Sequence, residues 1–166
     1  VATRAQEIAV GRIIACFAPG RGASPAALTR LAKEMQAELV GLFIEDIDLL
    51  RLAALPFAAE IGIASAQRRV LDPAALERAL RAQAARLRQA LAAALEPDIA
   101  WSFRVARASP VEAVAAALAE IYVPALLIPP GGHLRTPHGV VRRRDLDDRM
   151  LRELLAAARP MLVLPE

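Results

Sequence analysis

The feature that most constrains this chain is a series of short apolar runs separated by segments of helical periodicity. The last repeat of that alternation is the clearest. Val123-Pro124-Ala125-Leu126-Leu127-Ile128 stops at Pro129-Pro130-Gly131-Gly132, and a loop carrying His133, Arg135, Pro137, His138 and Gly139 follows. Then come the triplet Arg142-Arg143-Arg144, a helical pattern from Asp145, and a closing run Met161-Leu162-Val163-Leu164. Strand, glycine loop, helix, strand is the layout of a βαβ unit whose loop faces a potential ligand.

Earlier segments repeat the theme. Arg12 to Ala18 reads as a buried strand, Pro19-Gly20-Arg21-Gly22-Ala23 as a turn, and Ser24-Pro25 as the cap and first position of a helix reaching Ala37. Leu39 to Ile44 is a second strand. Asp72-Pro73 opens a long helix in which Leu76, Leu80, Ala84, Leu87, Leu91 and Leu95 make one apolar stripe, ended by Pro97. Ile99 to Ala106 is the third strand, and Ser109-Pro110-Val111-Glu112 is a capping box for the helix behind it. Between Glu45 and Arg69, a short helix over Asp46–Leu55 is stopped by Pro56, and Phe57, Ile61 and Ile63 stay apolar. Such a segment is expected to fold back as a lid or extra core, the alternative being an apolar patch for a partner.

At 166 residues the chain suits one domain, residues 1–166, able to bury a core without disulfide or metal. No apolar run approaches the ~18–20 residues of a membrane span, and Val1 to Gly11, with Arg4 and Glu7, does not read as a signal peptide. The single Cys16 fits a reducing, cytoplasmic setting. Net charge is +3, but aromatics are 4% and the arginines are interleaved with carboxylates, which argues against a nucleic-acid partner. His133 and His138 have no neighbouring cysteine, so no metal is expected. Nothing in the sequence demands an enzyme.

The expected architecture is α/β, an open five-stranded parallel sheet with helices on both faces. On the runs Arg12–Ala18, Ser24–Glu38, the strand ending at Ile44, the Val105–Glu120 unit and the ending Ala158-Arg159-Pro160-Met161-Leu162-Val163-Leu164, the chain resembles the universal stress protein family. The resemblance covers nearly the whole sequence. It implies a Rossmann-like fold of the adenine-nucleotide alpha-hydrolase kind, strand order 3-2-1-4-5, and a crevice between the first and fourth strands. It also implies a role in stress response and a homodimer paired through the last strand, Met161 to Leu164.

ATP-binding members carry an acidic residue after the first strand, then G-x-x-G after the fourth, with Gly-Ser or Gly-Thr opening the last helix. Here Ala18 and Pro19 follow the first strand, Pro129 to Arg135 lacks G-x-x-G, and the Gly-Ser/Thr place falls near Asp147-Asp148. With Asp145 as N-cap, those carboxylates would sit in the first turn, each worth roughly 0.3–1 kcal/mol with the helix dipole, and would repel a triphosphate. The expectation is a non-catalytic regulatory module without a cofactor, engaging a protein partner. The alternative is a sensor of ATP, another adenine nucleotide or a small anion, bound through the Gly131–Arg144 loop with Asp46–Ile63 as lid. Pro19, Gly20, Gly131, Gly132, His133, Arg135 and Arg142 are the crevice candidates, and a plain turn with solvated arginines is the competing reading.

Overall fold

A computed structural model describes residues 8–132, 137 and 139–166. Its centre is β1 (Arg12–Phe17), whose last five residues are all buried. Parallel ladders join β1 to β2 (Glu38–Asp46) on one side and to β6 (Ala125–Ile128) on the other. Outside β2 lies β5 (Trp101–Ala108), also parallel.

Helices cover both faces. On one side α1 (Pro25–Met35) and α3 (Pro73–Ala94) place Leu28, Leu80 and Leu91 on Ile13, Leu39 and Phe43. On the other, α4 (Pro110–Ala119) and α5 (Asp148–Ala157) place Val114, Leu118 and Leu151 on Ile14, Val40, Leu127 and Val163. Each such side chain, fully buried, contributes about 1.5–3 kcal/mol of transfer free energy. Local signals set the helix ends. Ser24 Oγ accepts the Ala27 N–H at 3.2 Å, and at Ser109 both hydrogen bonds of the capping box form, at 3.3 and 3.1 Å.

The molecule is therefore α/β with a mostly parallel sheet, Rossmann-like in general kind. The five-stranded parallel sheet in order 3-2-1-4-5 is not matched. Among the described residues the main sheet has six strands and, with β7 at Val140–Arg142 and β8 at Met161–Leu164, its order is β5-β2-β1-β6-β8-β7. The added strand is β7, within the expected Gly131–Arg144 loop, and β8 runs antiparallel to β6, with Leu127 beside Met161 and Ala125 beside Val163. The cause lies in the connection. The chain leaving β6 does not enter a helix directly but turns back through β7, and α5 then crosses to β8 in parallel with β7. A parallel crossover keeps direction, so β8 inherits the reversed sense of β7. A second correction follows. Met161 to Leu164 is not an edge, since β6 and β7 flank it on both sides, and the pairing surface expected there is already occupied.

The segment after β2 also departs from expectation. Asp46 caps α2 (Ile47–Ala53), accepting the Asp48 N–H at 3.0 Å. The chain then forms a separate antiparallel hairpin of β3 (Ala59–Ile61) and β4 (Arg68–Val70). Ala53 and Ala58 are buried, but Phe57, Ile61, Ile63 and Val70 are exposed, so the hairpin adds little to the core. Among the described residues no helix is long and apolar enough to cross a membrane.

Candidate functional site

The carboxyl ends of β1 and β6 face each other where strand order changes direction, and the loops that leave them diverge. After β1, Ala18 and Arg21 exchange backbone hydrogen bonds at 3.0 and 2.9 Å, closing a two-residue turn of Pro19 and Gly20. Gly20 sits at φ +68, where a side chain is strained. After β6, the Gly132 N–H donates to the Pro129 carbonyl at 2.9 Å, with Pro130 next and Gly131 at φ +75. Proline followed by a left-handed glycine inside such a bond is the pattern of a type II turn. The Pro-Pro-Gly-Gly sequence thus has a full structural explanation of its own.

Gly20 to Ser24 and Ala27 of α1 form one wall of a cleft of about 450 Å³, and Gly131 and Gly132 form the other. Behind the first wall, Phe17, Ala18, Phe43, Gln83, Arg86 and Leu87 line a second hollow of about 320 Å³. The structure therefore brings Gly20, Gly131 and Gly132 together, with Pro19 in the same turn as Gly20. His133, Arg135 and His138 lie outside the described residues. Arg142 does not join them. It pairs in register with Leu164, past Val163 and Ala125, at the opposite end of the sheet, roughly 13 Å from the level of Ile128 at ~3.3 Å per residue. The rest of the triplet is there too. The Arg143 guanidinium donates to the Ala119 carbonyl at 2.7 Å and to Glu166 at 2.6 Å, and Arg144 lies 3.7 Å from Asp145. These contacts tie the chain end to the carbonyl terminus of α4, where a cation is favoured.

The helix end expected at the cleft is also elsewhere. Arg143 to Asp145 form one 3-10 turn, and the N-cap of α5 is Asp147, not Asp145. Asp147 Oδ1 accepts the Met150 N–H at 2.7 Å, and Asp148 opens the helix. All of this happens at the far end of the sheet. What approaches the cleft is the other end of α5. A Cβ on Gly132 would stand 3.3 Å from the carbonyl oxygen of Ala158, the C-cap residue. That end of a helix carries partial negative charge and offers acceptors, not donors. Asp147 and Asp148 thus do not block the crevice; the reversal of α5 takes its N–H groups away.

Two wall features were not singled out from the sequence, the Arg21 side chain and the N-terminus of α1. Both were signalled by their place directly after the first strand. The described lining residues of the cleft include no carboxylate, and the first turn of α1 is also free of acids.

Nearby, the carboxyl ends of β2 and β5 carry a charge network. Arg107 Nε donates to Glu45 Oε2 at 2.9 Å and its other arm to Glu77 of α3 at 3.3 Å. The hydrogen bond to Glu45 is the main cause that raises the Arg107 pKa. Glu45 is only 4% exposed, and its partner makes burial tolerable. Among the described residues no group of three His, Cys, Asp or Glu side chains is placed to hold a metal.

Fold and cleft together define a Rossmann-like α/β domain, open at the carboxyl ends of its parallel strands. Compared with models of known protein families and with curated proteins, the chain matches none.

Proposed function

We propose that this chain is a universal-stress-protein-like regulatory or stress-response module, non-catalytic and not holding ATP in that family's manner. The observation that carries this reading is the direction of α5. In that family's manner the last helix would turn its N-terminal backbone donors to the phosphates, and here the carbonyl end of α5 stands beside Gly132 instead. The reading assigns a cytoplasmic setting and action through a protein partner. A thermal-shift titration with ATP, ADP and AMP, with and without magnesium, tests it. A nucleotide at 100 times its Kd adds ~2.7 kcal/mol, which is roughly 5–10 °C for a domain of this size. No shift is expected, and a shift of that size would overturn the reading.

A second reading is supported by the cleft of about 450 Å³ with Arg21 and the α1 N-terminus on its wall. In it the protein senses a small anion or nucleotide. Loss of a phosphate- or AMP-induced shift in Arg21→Ala, with Arg142→Ala unaffected, would support it; equal shifts in both variants and the wild type would remove Arg21 from the site.

A further inference from the structure

The strand β5 is an eight-residue edge with nothing paired to its outer side among the described residues. The direction of its backbone groups follows from one bond. The Leu39 N–H donates to the Ala100 carbonyl at 3.0 Å, with Leu39 level with Trp101. In a parallel ladder a residue bonds to the neighbours of its opposite number. Ser102, Arg104 and Ala106 therefore bond inward to β2, and the N–H and C=O groups of Trp101, Phe103, Val105 and Arg107 point outward.

Natural sheets blunt such an edge with proline, outward lysine, a bulge or a covering element. The sequence Trp101-Ser102-Phe103-Arg104-Val105-Ala106-Arg107-Ala108 contains no proline and no lysine, and all eight residues pair in unbroken register with β2. Its two arginines are already neutralised within the chain, Arg104 by Glu120 and Arg107 by Glu45 and Glu77. Val105, on the same face as Trp101 and Phe103, is half exposed.

We infer that β5 is an interaction surface for a second copy of this chain, the two β5 strands pairing antiparallel across a two-fold axis to make one continuous sheet. The outward groups restrict the register. An axis through Arg104 sets two guanidinium groups opposite each other, which is unfavourable. An axis through Phe103 sets Phe103 opposite its own copy, Val105 opposite the copy's Trp101, and Arg104 opposite the copy's Ser102. Aromatic and β-branched pairs of this kind stabilise a ladder, and Trp101 covers the exposed Val105. This interface is independent of the crevice and of what binds there.

Sedimentation equilibrium combined with amide hydrogen exchange tests it. A concentration-dependent dimer is expected, in which the Phe103 and Val105 amides gain at least about tenfold protection as the dimer forms. Ser102, Arg104 and Ala106, bonded to β2, are protected at every concentration. Val105→Pro deletes an outward donor without touching the β2 ladder, and should weaken dimerisation about a hundredfold or more. Should that variant fail to fold, Val105→Lys, which adds an unpaired cation at the edge, decides in its place. A chain monomeric at all concentrations overturns the proposal. So does a dimer that survives the folded variant, since the interface then lies elsewhere, for example on the exposed hairpin.

Discussion

The ring of Phe103 fills the space in which a side chain on Gly41 would stand. A Cβ at Gly41 would meet Phe103 Cδ2 at 2.9 Å and Leu91 Cδ1 at 3.2 Å. Gly41 and Phe103 are level neighbours in the β2–β5 ladder. One small residue in an otherwise bulky strand therefore lets an aromatic from the edge lie inward beneath α3.

Gly41→Ala is expected to destabilise the fold by ~1–3 kcal/mol, because the added methyl would stand 2.9 Å from the Phe103 ring and 3.2 Å from Leu91 and both would have to shift. Urea unfolding would show a lower midpoint at an unchanged slope. A neutral or stabilised variant would mean that the ring gives way at no cost, and the packing account would fail.

Cys16 is 1% exposed in the middle of β1, and burial pushes its thiol pKa from 9.0 up to about 12. Native protein at pH 8 should resist a disulfide-exchange reagent and be labelled only as it unfolds. The unfolded chain releases this proton near pH 9 and the native chain only near 12. The thiol's contribution is thus complete below pH 9 and is lost as pH rises through that window, at up to ~1.4 kcal/mol per pH unit. Cys16→Ala removes this part of the alkaline decline. Identical pH profiles for the two proteins would contradict the assignment.

Glu112 closes the capping box of α4. The Ser109 hydroxyl first, and the Ser109 N–H second, hold its pKa below the usual 4.5. A depressed carboxylate stabilises the native state above its unfolded pKa, and that contribution disappears as pH falls through the folded value. Ser109→Ala should cost ~1 kcal/mol near neutrality. The gap in melting temperature between variant and wild type should narrow below the ordinary glutamate range. A gap constant down to pH 3 would assign the whole effect to the cap hydroxyl.

Much of the architecture is legible in the chain because it is encoded locally. The stripe from Leu76 to Leu91, the Ser24 and Ser109 caps and the run Met161–Leu164 each announce their element within a turn or two, and the elements form where those signals lie. Direction is a different matter. A four-residue apolar strand reads the same in either sense, so nothing in Met161–Leu164 reveals that it descends beside β6. The decision rests with Val140–Arg142, too short to show a period. The same reversal misplaced the candidate site. Asp145 and Asp147 are equally good caps by composition, and only the 3-10 turn at Arg143–Asp145 separates them. Gly131 and Gly132 lie at one cleft with Gly20, since loops after adjacent parallel strands must meet. Arg142 lies away from it because it belongs to β7 and not to the loop.

The ladder between β1 and β6 has a consequence for the order in which the molecule is made. This ladder spans the greatest sequence separation in the main sheet, setting Arg12 beside Ala125 and Ala15 beside Ile128, while the β2–β5 ladder, next in separation, sets Leu39 beside Trp101. It carries the largest loop-closure entropy of all and cannot be preformed by neighbours in sequence. The two walls of the cleft belong to the two sides of that seam. Until it closes there is no crevice, so any molecule that fits there recognises a finished fold and never an intermediate of its assembly.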